Sequence, residues 1–176
     1  MNQSVISSLK GRDQLSITMV CLGNICRSPM AAAVLAGKTA DWVAPSIKVH
    51  SSGTGSWHIG QGPHPTSQKI WEAAGYKHSH IAQQFTANDF FIHDLILVMD
   101  SSNYHNVISL AENEEHRAKV FYLRNFDPLL RELDPSSADF YKLEVPDPYN
   151  QSDEAYKGTL AMVERAVDGL LLELAR

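Results

Sequence analysis

The chain has 176 residues, enough for one domain with a buried core. Its net charge of −5 argues against nucleic acid as a partner, because such binding depends on many phosphate contacts from lysine and arginine. Residues 1–16 contain no continuous apolar stretch and no later run is long enough to span a bilayer, so we expect a cytoplasmic protein with neither signal peptide nor membrane partner. A monomer is the favoured oligomeric state.

Apolar runs alternate with helix-like segments along the chain. In chain order, the patterns predict a strand at 16–21, a helix at 29–40, a strand at 47–51, a helix at 65–74, a short helical turn at 86–89, a strand at 95–99, a helix at 101–112, a strand at 119–123, an irregular loop at 125–149 and a helix at 152–175. Strand–helix alternation favours an α/β fold, a parallel sheet with helices on both faces. Residues 15–176 are expected to form one domain, after a disordered extension over residues 1–14.

The loop after the first predicted strand carries the chemically distinctive residues. It spans residues 21–28, and Cys21 precedes Arg27 by six positions. Gly23 and Asn24 are the residue types most willing to adopt positive φ, which a loop that curls its amides inward requires. A Ser-Pro pair then predicts a helix start with serine as N-cap, and helix N-termini bind phosphate through unpaired N–H groups.

These residue types suit phosphoryl transfer without a metal or cofactor. The helix N-terminus and Arg27 favour a thiolate at Cys21, which can attack phosphorus to give a phosphocysteine. The Arg27 guanidinium can match two phosphate oxygens, and Ser28 can donate a hydrogen bond to the sulfur as it leaves. The loop amides that would stabilise the transferring group belong to Leu22, Gly23, Asn24, Ile25 and Cys26. The alternative, a buried structural cysteine with Arg27 at the surface, stays open.

Hydrolysis of a tyrosine phosphate also calls for a general acid, because the phenolate leaves poorly unless it is protonated. Asp147 is the best candidate, since prolines on both sides stiffen its loop, although such a string is also a common turn. Competing acids in the same loop are Asp127, Asp134 and Asp139. Trp57, Tyr149 and Ile25 are candidate walls for an aromatic substrate, and ordinary packing is the alternative for each.

The chain resembles the low-molecular-weight protein tyrosine phosphatases over nearly its whole length after residue 14. The similarity rests on residues 20–29, 52–57, 99–100 and 147–149, in family order. It implies a three-layer, flavodoxin-like sandwich with strand order 2-1-3-4, and phosphotyrosine proteins as substrates. It further implies that Asn24 holds the loop in shape with support from Ser52 and His80, and that Asp100 lies behind the phosphate site.

Cys26, five residues after Cys21, suggests redox control in which a disulfide spares the nucleophile from overoxidation. A small residue that merely fills the loop is the alternative. A thiol-linked arsenate reductase would need further cysteines, and this chain has two in all. A non-catalytic phosphate-binding module is disfavoured because both Cys21 and Arg27 are present. A zinc site is disfavoured because the spacing of the eight histidines fits no closed site.

Overall fold

The computed structural model describes residues 3–133 and 137–175. Within these residues, four parallel strands form one sheet in the order β2-β1-β3-β4. The strands are β1 Gln14–Cys21, β2 Ser46–Gly53, β3 Leu95–Val98 and β4 Val120–Tyr122. The predicted sheet and its strand order are confirmed.

Helices cover both faces of the sheet. They are α1 Gln3–Leu9, α2 Arg27–Lys38, α3 Pro65–Ala73, α4 Asp89–Ile92, α5 Ser101–Ser109, α6 Glu114–Ala118 and α7 Asp153–Leu174. Core residues of α1, α2, α3 and α7 pack on one face, and those of α4 and α5 pack on the other. Among the described residues, three short 3-10 helices lie within the predicted irregular stretch or at its start: Leu123–Phe126, Pro128–Leu130 and Ala138–Leu143.

Strand β3 shows why its sequence is apolar throughout. Leu95 and Leu97 lie in the core on the α2 side, whereas Ile96 and Val98 lie in the core on the α5 side. Because successive side chains of a strand point to opposite faces, a strand covered on both faces needs an apolar residue at every position.

The N-terminal segment differs from the predicted disordered extension. Gln3–Leu9 is helical, Ile6 and Leu9 are buried in the core on the α7 side, and β1 already begins at Gln14. Ile6 and Leu9 stand three positions apart, a spacing that places both side chains on one helix face. Burial of that face accounts for the ordered helix. For residues 1 and 2 the prediction lies outside the described residues.

The topology brings the distinctive loop to the carboxyl edge of the sheet. Cys21 is the last residue of β1, and Arg27 is the first residue of α2. From β1 the chain first moves outward to β2 and then crosses to β3 on the other side. Ligands of such folds bind outside the carboxyl ends of the strands, where the strand order reverses.

Candidate active site

The hydrogen-bonded backbone carbonyls of the loop point outward, toward the segments that surround it. Five carbonyl oxygens accept hydrogen bonds from surrounding segments. The pairs are Cys21 with the Thr54 N–H and Leu22 with the Gly55 N–H, both 2.9 Å; Asn24 with His80 Nε2, 2.6 Å; Ile25 with the His64 N–H, 2.8 Å; and Cys26 with the Ser67 hydroxyl, 2.9 Å. In a trans peptide the C=O and the next N–H point in opposite directions. The N–H groups of residues 22, 23, 25, 26 and 27 therefore point inward and form a cradle for an anion.

Asn24 shapes this loop from within. It is fully buried and adopts a φ of 57°, a left-handed conformation that asparagine tolerates better than other residues with a side chain. Its Nδ2 donates to Ser28 Oγ at 2.8 Å and to Ser51 Oγ at 3.0 Å. Its Oδ1 accepts from the Gln83 N–H at 2.9 Å, which fixes which end of the amide carries the oxygen.

Gly23 does not share this conformation, although positive φ was expected at both positions. Its φ lies outside the left-handed region, and a Cβ at this position would lie 3.0 Å from a ring carbon of His58. A side chain here would therefore crowd that imidazole, which would have to shift by a few tenths of an ångström.

The support for Asn24 comes from Ser51, and the prediction of Ser52 in that role is corrected. Adjacent side chains on β2 point to opposite faces, so one hydroxyl of the pair reaches Asn24 and the other cannot. Ser52 contributes its carbonyl oxygen, 3.4 Å from Ser28 Oγ. His80 behaves as expected for a support, since its Nε2 donates to the Asn24 carbonyl and its Nδ1 lies 3.5 Å from Ser51 Oγ. Burial lowers the pKa of His80, opposed by the hydrogen bond to Asn24.

Ser28 lies inside the first turn of α2 and is not the predicted N-cap. The helix begins at Arg27, and the capping position falls to Cys26, which makes no side-chain capping bond. Ser28 Oγ lies 3.0 Å from Cys21 Sγ. Since the Asn24 amide donates to this same oxygen, the Ser28 proton has two acceptors within reach, the sulfur and the Ser52 carbonyl at 3.4 Å, and the sulfur is the nearer of the two. The sulfur also accepts from the Asn24 N–H at 3.3 Å.

Arg27 is buried at the edge of the cradle and held on three sides. Its Nη1 donates to Asp100 Oδ2 at 2.6 Å and to the Val145 carbonyl at 3.0 Å, while Nη2 lies 3.3 Å from Asp147 Oδ2. Burial by itself would lower the pKa of the guanidinium, but Cys21 and the two carboxylates outweigh it and raise the pKa. The side chain is a fixed cation, and Asp100 sets its direction.

Asp147 lies at the mouth of the cleft with its carboxylate partly exposed. Oδ1 accepts from the Tyr149 N–H at 3.1 Å, and the Asp147 carbonyl accepts from Gln151 Nε2 at 3.0 Å. Together with the contact to Arg27, these bonds hold the carboxylate near Cys21, which lines the same cleft.

The competing acids lie elsewhere or are engaged in other contacts. Asp127 is fully buried and forms ion pairs with Arg124 and Arg165, at 3.3 and 3.2 Å. Asp139 pairs with the surface Lys142 at 2.8 Å. Asp134 lies outside the described residues.

The cleft above the cradle has aromatic side chains at its rim. Trp57 and Tyr149 line it and are 68% and 47% exposed, and Ile25 lies on its floor. His58 also lines it and was missed at the sequence level, where only its position beside Trp57 pointed to it. The cavity volume is about 140 Å³, well below the roughly 300–1,000 Å³ of clefts that enclose a whole drug-sized ligand. It suits a phosphate carried on one side chain.

Cys26 is a buried residue of the loop that also lines the cleft. Its Sγ lies 3.6 Å from the Tyr156 hydroxyl, which in turn lies 3.3 Å from His64 Nδ1. Burial raises the pKa of the Cys26 thiol to about 12. Both cysteines are free in this structure. Tyr156 and His64 carry no sequence signal for this contact, because they approach Cys26 only through the packing of α3 and α7.

Comparisons with known proteins show which proteins this chain is similar to. The sequence profile of the family described as low molecular weight phosphotyrosine protein phosphatase matches residues 16–176. A low molecular weight protein-tyrosine-phosphatase of Streptomyces coelicolor is 37% identical over 156 residues, covering 88% of this chain and 90% of the relative. A protein tyrosine phosphatase structure from Entamoeba histolytica has a TM-score of 0.78 at 28% identity, covering 91% of this chain and 96% of that one. Wzb from Vibrio vulnificus has a TM-score of 0.70 at 26% identity, covering 88% and 94%.

Proposed function

Because the chain belongs to the low molecular weight phosphotyrosine protein phosphatase family, we propose that Cys21 is its nucleophile, Arg27 its phosphate-binding cation and Asp147 its general acid. The protein is a tyrosine phosphatase that works through a phosphocysteine intermediate without a metal. The observation that carries the residue roles is the ring of inward-facing amides around the Cys21 sulfur, closed by the Arg27 guanidinium.

In the first step the phosphate dianion of a phosphotyrosine enters the cradle. The Cys21 thiolate attacks phosphorus, the S–P bond forms and the P–O bond to the tyrosine breaks. The amides and Arg27 stabilise the charge on the equatorial oxygens. Asp147 transfers a proton to the leaving phenolate as the P–O bond breaks.

In the second step water hydrolyses the phosphocysteine. Asp147, now ionised, takes a proton from the attacking water, the S–P bond breaks and inorganic phosphate leaves. The departing sulfur anion receives hydrogen bonds from Ser28 and from the Asn24 N–H. Asp100 acts through Arg27, which it orients from behind.

An aryl phosphate is the substrate class that best fits the rim. Trp57 and Tyr149 offer aromatic surfaces, and a phenyl ring between them gains contacts that a phosphoserine lacks. The solved Vibrio vulnificus Wzb holds benzylphosphonate, which joins an aromatic ring to a phosphonate. We take phosphotyrosine within a protein as the physiological form, with no nucleic acid and no membrane as partner; the net charge of −5 supports the first exclusion.

The assignment is tested with aryl phosphates of graded leaving-group pKa, assayed in the presence of a chelator. We expect Cys21→Ser to be inactive. Asp147→Ala should be severely slowed on phenyl phosphate, roughly 10²–10⁴-fold, and much less on good leaving groups that depart without a proton. Asp139→Ala is the matched control and should behave as wild type. A uniform loss across all leaving groups in Asp147→Ala would place the acid at another residue.

Redox protection by Cys26 is part of the proposal. Hydrogen peroxide oxidises the Cys21 thiolate to a sulfenic acid, and the Cys26 thiol then condenses with it to give a disulfide and water. The raised pKa of Cys26 supports this order, because it keeps Cys26 a thiol while the nucleophile reacts first. After peroxide treatment, dithiothreitol should restore wild type far better than Cys26→Ala. Equal recovery would exclude the disulfide.

The cytoplasm and a monomeric state complete the proposal. A catalytic thiol needs a reducing compartment, and this requirement supports a location in the cytoplasm. Across the described parts of the chain, no helix has the length and apolarity required to cross a bilayer. Analytical ultracentrifugation tests the monomer directly, since a dimer would sediment at twice the chain mass of 19.5 kDa.

A further inference from the structure

A second groove adjoins the catalytic cleft on the side of α5. Leu22 and Trp57 line both cavities, so the two lie side by side. We call the second cavity the flank groove; its walls include Leu22, Trp57, Gln84, Asn106, Ser109 and Leu110. Its volume is about 370 Å³, more than twice the 140 Å³ of the cleft.

The flank groove is uncharged but presents apolar surface. Among the described residues that line it, none is Asp, Glu, Lys or Arg. Leu22, Trp57 and Leu110 are 39%, 68% and 41% exposed, although all three are hydrophobic. The amides of Gln84 and Asn106 stand among them. Such a surface gains from covering an apolar side chain and disfavours burial of a charge.

Trp57 forms the wall between cleft and groove, and its position is set by the backbone beneath it. A Cβ on Gly55 would lie 1.8 Å from Trp57 Cζ3, so the indole lies directly against the Gly55 backbone. An exposed aromatic ring that is already placed loses little conformational freedom when a ligand covers it.

We propose that the flank groove binds an apolar side chain of the substrate protein, within two positions of the phosphotyrosine. The inference rests on the proposed function, which places the phosphotyrosine itself in the cleft. Neighbouring residues of an extended peptide are about 3.3 Å apart, so a residue one or two positions from a tyrosine in the cleft can reach the adjoining groove. The amides of the groove are suited to pair with the backbone of that segment.

The test compares phosphotyrosine peptides that differ only in the residues on both sides of the phosphotyrosine. Leucine and asparagine are similar in size, so their ratio of kcat/KM reports apolar contact. We expect wild type to prefer the leucine peptide by roughly fivefold, as partial burial of one leucine side chain provides. Leu110→Glu should reduce this ratio to less than about twofold. Leu172→Glu is the matched control, with the same change in net charge at a residue of α7 that is 51% exposed.

A gain of function gives the second arm. Leu110→Lys should raise kcat/KM for a peptide flanked by aspartate relative to the asparagine peptide, and Leu172→Lys should not. Phenyl phosphate has no flanking residues, so all four variants should hydrolyse it as wild type does. If the wild-type protein did not hydrolyse phenyl phosphate, the proposed function would be refuted. Two results would overturn the flank groove alone, provided that activity on phenyl phosphate is intact. One is the same kcat/KM of wild type for the leucine and the asparagine peptide; the other is the same leucine-to-asparagine ratio in Leu110→Glu and Leu172→Glu.

Discussion

Asn24→Ala is the substitution for which the structure gives the most definite magnitude. The side chain makes three hydrogen bonds inside the protein, to Ser28, Ser51 and Gln83, and none of it is exposed. At about 1 kcal/mol each, their loss destabilises the fold by about 3 kcal/mol. Alanine must also hold a φ of 57°, which costs about another 1 kcal/mol. The expected loss in the free energy of unfolding is therefore about 4 kcal/mol.

Asn150 provides the matched control for the backbone part of this figure. It has nearly the same φ, 59°, but it is exposed and lies outside the loop. Asn150→Ala should therefore lose only the conformational cost, about 1 kcal/mol. Asn24→Gly should recover about that amount relative to Asn24→Ala, because glycine adopts positive φ freely while the hydrogen bonds remain lost.

Urea unfolding followed by the fluorescence of the three tryptophans measures all of these variants. The variants should have the m-value of wild type, so differences in stability appear as differences in the urea concentration at the unfolding midpoint. If Asn24→Ala and Asn150→Ala lost stability to within about 1 kcal/mol of each other, the three hydrogen bonds would contribute little and the account of the loop would fail.

The remaining predictions concern turnover, packing and pH. With p-nitrophenyl phosphate, Ser28→Ala should release a burst of p-nitrophenol and then turn over roughly 10- to 100-fold more slowly than wild type, because the departing sulfur loses a hydrogen bond. A variant that turned over at the wild-type rate without a burst would contradict this. Gly169→Ala should lose about 3 kcal/mol, since a Cβ would meet the Phe126 carbonyl oxygen at 1.8 Å. Gly158→Ala, in the same helix with open space around it, should gain up to about 1 kcal/mol; similar urea midpoints would exclude this contrast. Burial lowers the pKa of His80 from 6.5, so below that pH the unfolded chain takes up a proton that the native state does not. Stability should therefore fall as the pH drops below 6.5, less steeply in His80→Gln; equal slopes would assign the effect to other groups.

Candidate residues for the chemistry of the loop could be chosen from the sequence because the motif is local. Cys21 and Arg27 lie six positions apart between a strand and a helix, and the preceding strand shows its burial by its apolar run. Asp147 could be nominated in the same way, because a proline lies on each side of it in the sequence. Alternation of strands and helices was sufficient for the sheet, because parallel strands need crossovers and both faces need cover.

Details that depend on register or on the exact helix start were decided by the tertiary structure. Ser51 and Ser52 are identical in type and adjacent in sequence, so only the pleat of β2 determines which hydroxyl meets Asn24. Ser28 looked like a cap, but α2 begins earlier and leaves its hydroxyl to the sulfur.

Residues that are neighbours along the chain were thus enough to predict the family and the order of elements and to nominate the candidate reactive groups. The tertiary structure alone decided what surrounds them. It aligned Arg27 through Asp100, 73 positions away, brought Tyr156 to Cys26 across 130 positions and placed the flank groove beside the cleft. Contacts over such separations follow from packing of the whole core, which no local pattern encodes.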